Sequence, residues 1–301
     1  MRSETTPAPR PRVVLVDGVP MSGLIAEAED PRAVVVAFHG GASTAAYFDC
    51  PRHPRLSLLR IGAALGYTVV ALERPGYGAS APYPEAIERP GQRVALTYGA
   101  VDKILGANPR GAGLFLLGHS AGCELAVRMA ADERAEDAAL IGLELAGTGL
   151  QYADEAHEIL KTATSTQRPA GLRDLLWQPA HLYPADVLSG MTNSATGAQY
   201  EAVMVKDWPR QDFPALACEV DVPVQFSVAE YERVWRSDPE SLADIAAMFL
   251  ASPRFVINEQ IGAGHNLSLS VSAAAYHMKV LSFVEECVVA QASTSEELEA
   301  G

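Results

Sequence analysis

Apolar residues in this chain fall into short continuous runs, separated by stretches where they recur every three or four positions. Runs at 33–37, 67–72, 113–117, 139–145, 222–228 and 254–259 are rich in Val, Ile and Leu. Continuous apolar runs of this length read as strands buried on both faces. Val13-Val14-Leu15-Val16, followed by Asp17-Gly18, predicts a strand and a turn, with Leu24-Ile25-Ala26 as the antiparallel partner. Between the runs, 54–65, 92–105 and 123–131 carry apolar residues at helical spacing, and 270–290 predicts a long final helix. Strands alternating with helices imply an α/β fold with a mostly parallel sheet covered on both faces.

The rhythm breaks between Gly149 and Val220. This stretch holds Tyr152, Trp177, Tyr183, Tyr200, Trp208, Phe213 and several prolines, but no clear buried run. A bare loop of that length is improbable in a compact domain. A helical insertion is expected over the carboxyl edge of the sheet, where α/β proteins bind ligands. The organisation expected is a loose leader at 1–11, a core at 12–149 and 220–292, a helical cap at 150–219 and a loose tail at 293–301. No internal repeat is present.

Composition narrows the function. The 301 residues are 49% hydrophobic and 20% charged, with a net charge of −14. That charge disfavours nucleic acid and anionic membranes as partners. No apolar run reaches the ~18–20 residues of a membrane span, and the first residues lack the apolar core of a secretory signal. Cys50, Cys123, Cys218 and Cys287 are far apart and form no C-x-x-C pair. Neither a disulfide framework nor a zinc site is expected, and a reducing cytoplasm fits. Cys123 reads as a small core residue.

Gly118-His119-Ser120-Ala121-Gly122 carries the chemistry. It reads G-x-S-x-G between a predicted strand and a predicted helix, so the serine sits on a tight turn with its hydroxyl exposed. The N–H of Ala121 is then offered to a developing oxyanion. A serine needs a base, and the base needs a partner to orient it. Of seven histidines, His265 stands out, in Ile261-Gly262-Ala263-Gly264-His265 on an expected loop after the last strand. His53, His157 and His181 read as solvated, His277 as a helix residue, and His39 and His119 as structural. An acid following the 222–228 strand gives the chain order Ser, acid, His, and both Glu230 and Glu232 are available. The loop His39-Gly40-Gly41-Ala42 supplies a second oxyanion donor, from Gly41 or Ala42.

Together, His39-Gly40-Gly41, Glu73-Arg74-Pro75-Gly76-Tyr77-Gly78-Ala79-Ser80, Gly118 to Gly122 and Gly262-Ala263-Gly264-His265 resemble the α/β-hydrolase superfamily over nearly the whole chain. The resemblance implies an eight-stranded, mostly parallel sheet with helices on both faces, an inserted helical cap and no cofactor or metal. It also orders the two glutamates. The family's V-P-V-x-x-x-x-G-x-x-D pattern places its acid on Glu232, although Glu replaces the commoner Asp and Ala229 the usual Gly.

The expected activity is a cytoplasmic serine hydrolase acting on a small carboxylic ester or thioester. Ser120 is the expected nucleophile, His265 the base and Glu232 the acid, with Gly41, Ala42 and Ala121 as oxyanion donors. Trp177, Tyr183 and Trp208 are candidate contacts for an apolar or aromatic acyl group. Two alternatives use the same scaffold. One is a C–C bond hydrolase or a biosynthetic acyl-transfer or cyclisation enzyme. The other is a non-catalytic binding protein.

Overall fold

In the computed structural model, which describes residues 8–161, 169–191 and 195–300 with side chains omitted over 294–300, one sheet runs through the molecule. Its strands are β1 (Arg10–Val16), β2 (Val19–Ala26), β3 (Val34–Phe38), β4 (Thr68–Leu72), β5 (Leu114–His119), β6 (Leu140–Ala146), β7 (Val224–Tyr231) and β8 (Phe255–Gly264). They lie in the order β1-β2-β4-β3-β5-β6-β7-β8. The first two strands pair antiparallel, and β2 runs antiparallel to β4. Every pairing from β4 to β8 is parallel. The sheet is therefore eight-stranded and mostly parallel.

The helices are α1 (Leu58–Ala64), α2 (Pro90–Leu105), α3 (Gly122–Ala130), α4 (Arg134–Asp137), α5 (Asp154–Leu160), α6 (Leu172–Trp177), α7 (Ala185–Gly190), α8 (Glu201–Asp207), α9 (Phe213–Ala217), α10 (Pro239–Met248) and α11 (Ala273–Ala300). Alternation along β3 shows how the sheet is covered. Val34, Val36 and Phe38 face a core built with Val94 and Val101 of α2 and Leu125 and Met129 of α3. Val35 and Ala37 face the opposite core, with Leu58 and Leu59 of α1 and Tyr276, Val280 and Val284 of α11. Side chains alternate faces along a strand, so a run with no polar residue needs helices on both sides.

Three boundaries differ from the expected ones. β1 begins at Arg10, inside the expected leader, the rest of which lies largely outside the described residues. α11 continues to Ala300 over the expected loose tail, where Glu296-Glu297-Leu298-Glu299-Ala300 are all good helix formers. β8 extends to Gly264, because the glycine-flanked segment stays paired to β7 and is not a loop. The helix α10 is absent from the expected elements, although Asp238 caps it by accepting from the Ser241 N–H at 3.0 Å and Pro239 opens it. The stretch between β6 and β7 holds helices α5 to α9 and no strand among its described residues. No helix among the described residues is long and apolar enough to cross a membrane.

One buried acid makes the fold pH-sensitive. Glu144, fully buried on β6, accepts from Gln225 Nε2 at 2.8 Å and from the Tyr276 hydroxyl at 3.0 Å. Burial pushes its carboxyl up from the ordinary 4.5 to about 8. The folded state therefore holds a proton that the unfolded chain releases. The associated stability is present below pH 4.5 and is lost as pH rises through about 8. Glu144→Gln, neutral at every pH, is expected to gain about 3–5 kcal/mol over the native chain above that window. Urea unfolding on both sides of the window checks this. An unchanged pH slope in the variant counts against it.

Candidate active site

The strand ends converge on Ser120. It follows β5 at φ +52°, in the left-handed region that costs a non-glycine residue ~1–2 kcal/mol. Its N–H donates to the Ala146 carbonyl at 2.8 Å, which ties the turn to the end of β6. The flanking glycines are sterically required. A Cβ on Gly118 would stand 2.7 Å from the Cys123 Cα, and one on Gly122 would stand 2.2 Å from the Phe38 carbonyl oxygen.

His265 and Glu232 meet because of strand register. Tyr231 pairs with Gly264 across the parallel β7–β8 ladder, so the residue after each strand lies beside the other. A register shift between Ala229 and Tyr231 turns Glu232 inward. Both Glu232 carboxylate oxygens lie 3.0 Å from His265 Nδ1, and His265 Nε2 lies 3.1 Å from Ser120 Oγ. With Nδ1–H donating to the carboxylate, Nε2 presents its lone pair to the serine hydroxyl. Glu232 also accepts from the Val234 N–H at 2.8 Å, and its side chain is 4% exposed. Glu230 points elsewhere and accepts from the Gly262 N–H at 2.7 Å. The choice between the two glutamates therefore falls geometrically on Glu232.

The neighbouring histidines are structural in their contacts. His119 donates from Nε2 to the His265 carbonyl at 2.9 Å and stacks on Tyr47 at 4.5 Å between ring centroids. Burial, helped by the nearby His265, drives it well below its ordinary value, so it is neutral. His39 is fully buried, with Nδ1 2.8 Å from the Gly40 carbonyl oxygen and Nε2 between the Glu73 carboxylate at 3.1 Å and the Arg74 N–H at 3.3 Å. His277 is packed inside α11, where burial holds it near 3. His53 pairs with Asp186 at 2.9 Å.

The loop after β3 carries Gly41 and Ala42, the two residues expected to offer a second donor. Ala42, at φ +53°, gives its N–H to the Tyr77 hydroxyl at 2.9 Å, so it is not a free oxyanion donor. Among the described residues, the N–H groups of Gly41 and Ala121 meet no acceptor. These two residues are neighbours, since a Cβ on Gly41 would lie 3.9 Å from the Ala121 Cβ. Gly147, at φ +70°, leaves space for the imidazole; a Cβ there would be 3.0 Å from His265 Cε1.

The three expected pocket aromatics pack the inserted segment onto the sheet. Trp208 donates to Thr148 Oγ1 at 2.9 Å and stacks on Phe213. Trp177 meets Tyr183 edge-on, and the Tyr183 hydroxyl receives the Asn266 N–H at 3.3 Å. None of the three lines the cavity of about 710 Å³ between the start of α2 and α8, whose wall includes Ile87, Arg93, Glu124, Tyr200 and Met204. Ser120 and His265 are not on that wall either.

Sequence reasoning missed a polar cluster beside Gly41. Arg74, fully buried, forms an ion pair with Glu201 of α8 and donates to the Gly40 carbonyl at 3.2 Å. The Tyr77 hydroxyl donates to Glu201 at 2.7 Å. Arg74 and Tyr77 lie in a segment that entered the sequence reading only through the family resemblance, and nothing in the sequence marks Glu201. No group of His, Cys, Asp and Glu among the described residues is arranged to hold a metal ion.

Comparison with known proteins places this geometry in context. No curated protein sequence matches the chain. Solved structures do. A bacterial membrane phospholipase A described as a virulence factor superposes with a TM-score of 0.66 at 18% identity, over 93% of this chain and 86% of that one. The N-acyl homoserine lactonase AidH gives 0.61 at 16%, over 93% and 98%. A thermophilic esterase from Thermogutta terrifontis gives 0.60 at 16%, over 93% and 99%. At such identities the likeness is one of fold. The model of the alpha/beta hydrolase family matches residues 34–276, and with that span covered the chain belongs to the α/β-hydrolase family.

Proposed function

We propose that this protein is a serine hydrolase that cleaves a small carboxylic ester or thioester through an acyl-enzyme. The observation that carries the reading is the hydrogen-bonded series from Glu232 through His265 to Ser120 Oγ. Ser120 Oγ attacks the acyl carbon while His265 Nε2 takes the hydroxyl proton. The carbonyl π electrons move to oxygen, and the oxyanion rests against the Gly41 and Ala121 N–H groups; one such donor is worth ~3 kcal/mol of barrier. Glu232 keeps Nδ1 protonated and stabilises the imidazolium. The tetrahedral intermediate collapses, and His265 returns its proton to the leaving alcohol or thiol. Water, deprotonated by the same Nε2, then attacks the acyl carbon, and Ser120 leaves with the proton to release the carboxylic acid. Helices α5 to α9 act as a cap that screens the acyl group from solvent.

Labelling by a fluorophosphonate tests the proposal. The intact protein is expected to gain one phosphonyl adduct, mapped by mass spectrometry to Ser120, and to hydrolyse p-nitrophenyl acetate. A protein that takes no label and leaves that ester uncleaved overturns the proposal.

A further inference from the structure

Glu201 lies where a catalytic serine would be poorly served by a bare negative charge. It opens α8, is 12% exposed, and reaches from the inserted segment toward the oxyanion loop. Its Oε2 stands 3.5 Å from where a Cβ on Gly41 would be, and receives the Tyr77 hydroxyl at 2.7 Å. Its Oε1 is paired with Arg74. The same tyrosine oxygen accepts the Ala42 N–H at 2.9 Å, so the glutamate holds the loop through one intermediary. Arg74 is the cation these contacts place at the loop, and its two Nη atoms are engaged, while its buried Nε meets no acceptor among the described residues. Nη2 serves Glu201 and the Gly40 carbonyl, and Nη1 donates to the Tyr200 hydroxyl at 3.4 Å. The polar atom nearest a Gly41 Cβ is thus a carboxylate oxygen with lone-pair capacity left, while the paired guanidinium, which touches the Gly40 carbonyl, is fully buried.

We propose that Glu201 is a specificity-determining residue, which selects against acyl groups carrying a negative charge near the scissile carbonyl and favours neutral or ammonium-bearing ones. The proposal rests on the reading that the carbonyl docks against Gly41 and Ala121. A substrate carboxylate there meets a like charge across a partly desolvated gap, and the cation beside it, Arg74, is fully buried and already paired with Glu201. An ammonium group meets an acceptor already oriented by Arg74 and Tyr77.

Three ethyl esters of similar size decide it: ethyl butyrate, ethyl 3-aminopropanoate and monoethyl succinate, followed by pH-stat at neutral pH. The native protein is expected to show kcat/KM for the succinate about tenfold or more below the butyrate, with the aminopropanoate at or above it. Glu201→Gln leaves Arg74 without its counter-charge. It is expected to narrow the succinate gap by about tenfold. Glu201→Asp, which keeps the charge, is expected to keep the native order. Equal rates for the three esters in the native protein overturn the proposal without any variant and leave the Ser120 reading standing. So does a Glu201→Gln protein that slows all three alike. A native protein inert to the esters and to fluorophosphonate overturns both readings.

Discussion

Ser120→Ala is expected to lower p-nitrophenyl acetate turnover on the order of 10⁶-fold, and Glu232→Gln by roughly 10⁴-fold, with Glu230→Gln indistinguishable from the native protein. The ordering follows from what each atom does. Without Oγ there is no acyl-enzyme, and only the oxyanion donors and binding remain. Glu232→Gln keeps the nucleophile but puts an amide NH₂ where a carboxylate oxygen lies 3.0 Å from His265 Nδ1. The amide oxygen and the NH₂ then compete for Nδ1, and whenever the NH₂ donates there the ring proton moves to Nε2, a tautomer with no lone pair for the Ser120 proton. The charge that stabilises the imidazolium is lost as well. Glu230→Gln keeps an oxygen for the Gly262 N–H at 2.7 Å and touches neither His265 nor Ser120. Steady-state kinetics on the three purified variants check the series. A larger loss from Glu230→Gln than from Glu232→Gln would place the acid on the wrong glutamate.

The parts legible in the sequence were those written in short range. Apolar runs marked the strands β3 to β7 because a strand buried on both faces admits few polar residues, and the last run marked the edge strand β8. Glycines around Ser120 marked the turn because the backbone there leaves no room for a Cβ. Glu232 was separable from Glu230 only by a family spacing, since which one faces inward depends on the irregular β7–β8 register. Arg74 and Glu201 were invisible as partners. They stand 127 positions apart, and only the fold of the inserted segment brings them together. The aromatics of that segment, Trp177, Tyr183 and Trp208, were expected at the acyl group, and in the structure Trp177 meets Tyr183 while Trp208 stacks on Phe213, contacts no local pattern marks. Gly41 or Ala42 was expected as the second donor, and the Ala42 N–H is given to the Tyr77 hydroxyl, a contact 35 positions away that no local pattern marks.

Gly122→Ala is expected to lower stability by about 3 kcal/mol or more and to suppress labelling of Ser120 in the fraction that folds. A Cβ at this position would stand 2.2 Å from the Phe38 carbonyl oxygen and 2.8 Å from that of His39. Both are backbone atoms at the end of β3, where Phe38 pairs with Leu72 on one side and Gly118 on the other, so neither can swing aside as a side chain would. Relief requires α3 to move away from the sheet or β3 to shift within it. Either movement is felt at the site. α3 carries Ala121 at its start, and the β3 end leads directly into Gly40 and Gly41, so separating them parts the two N–H groups proposed to hold one oxyanion. The same close approach that excludes a methyl at 122 therefore sets the spacing of the donor pair. Urea unfolding combined with fluorophosphonate labelling rates separates the two effects. A variant as stable as the native protein would show that the helix yields without strain, and a destabilised variant labelled at the native rate would show that the donor spacing does not depend on this contact.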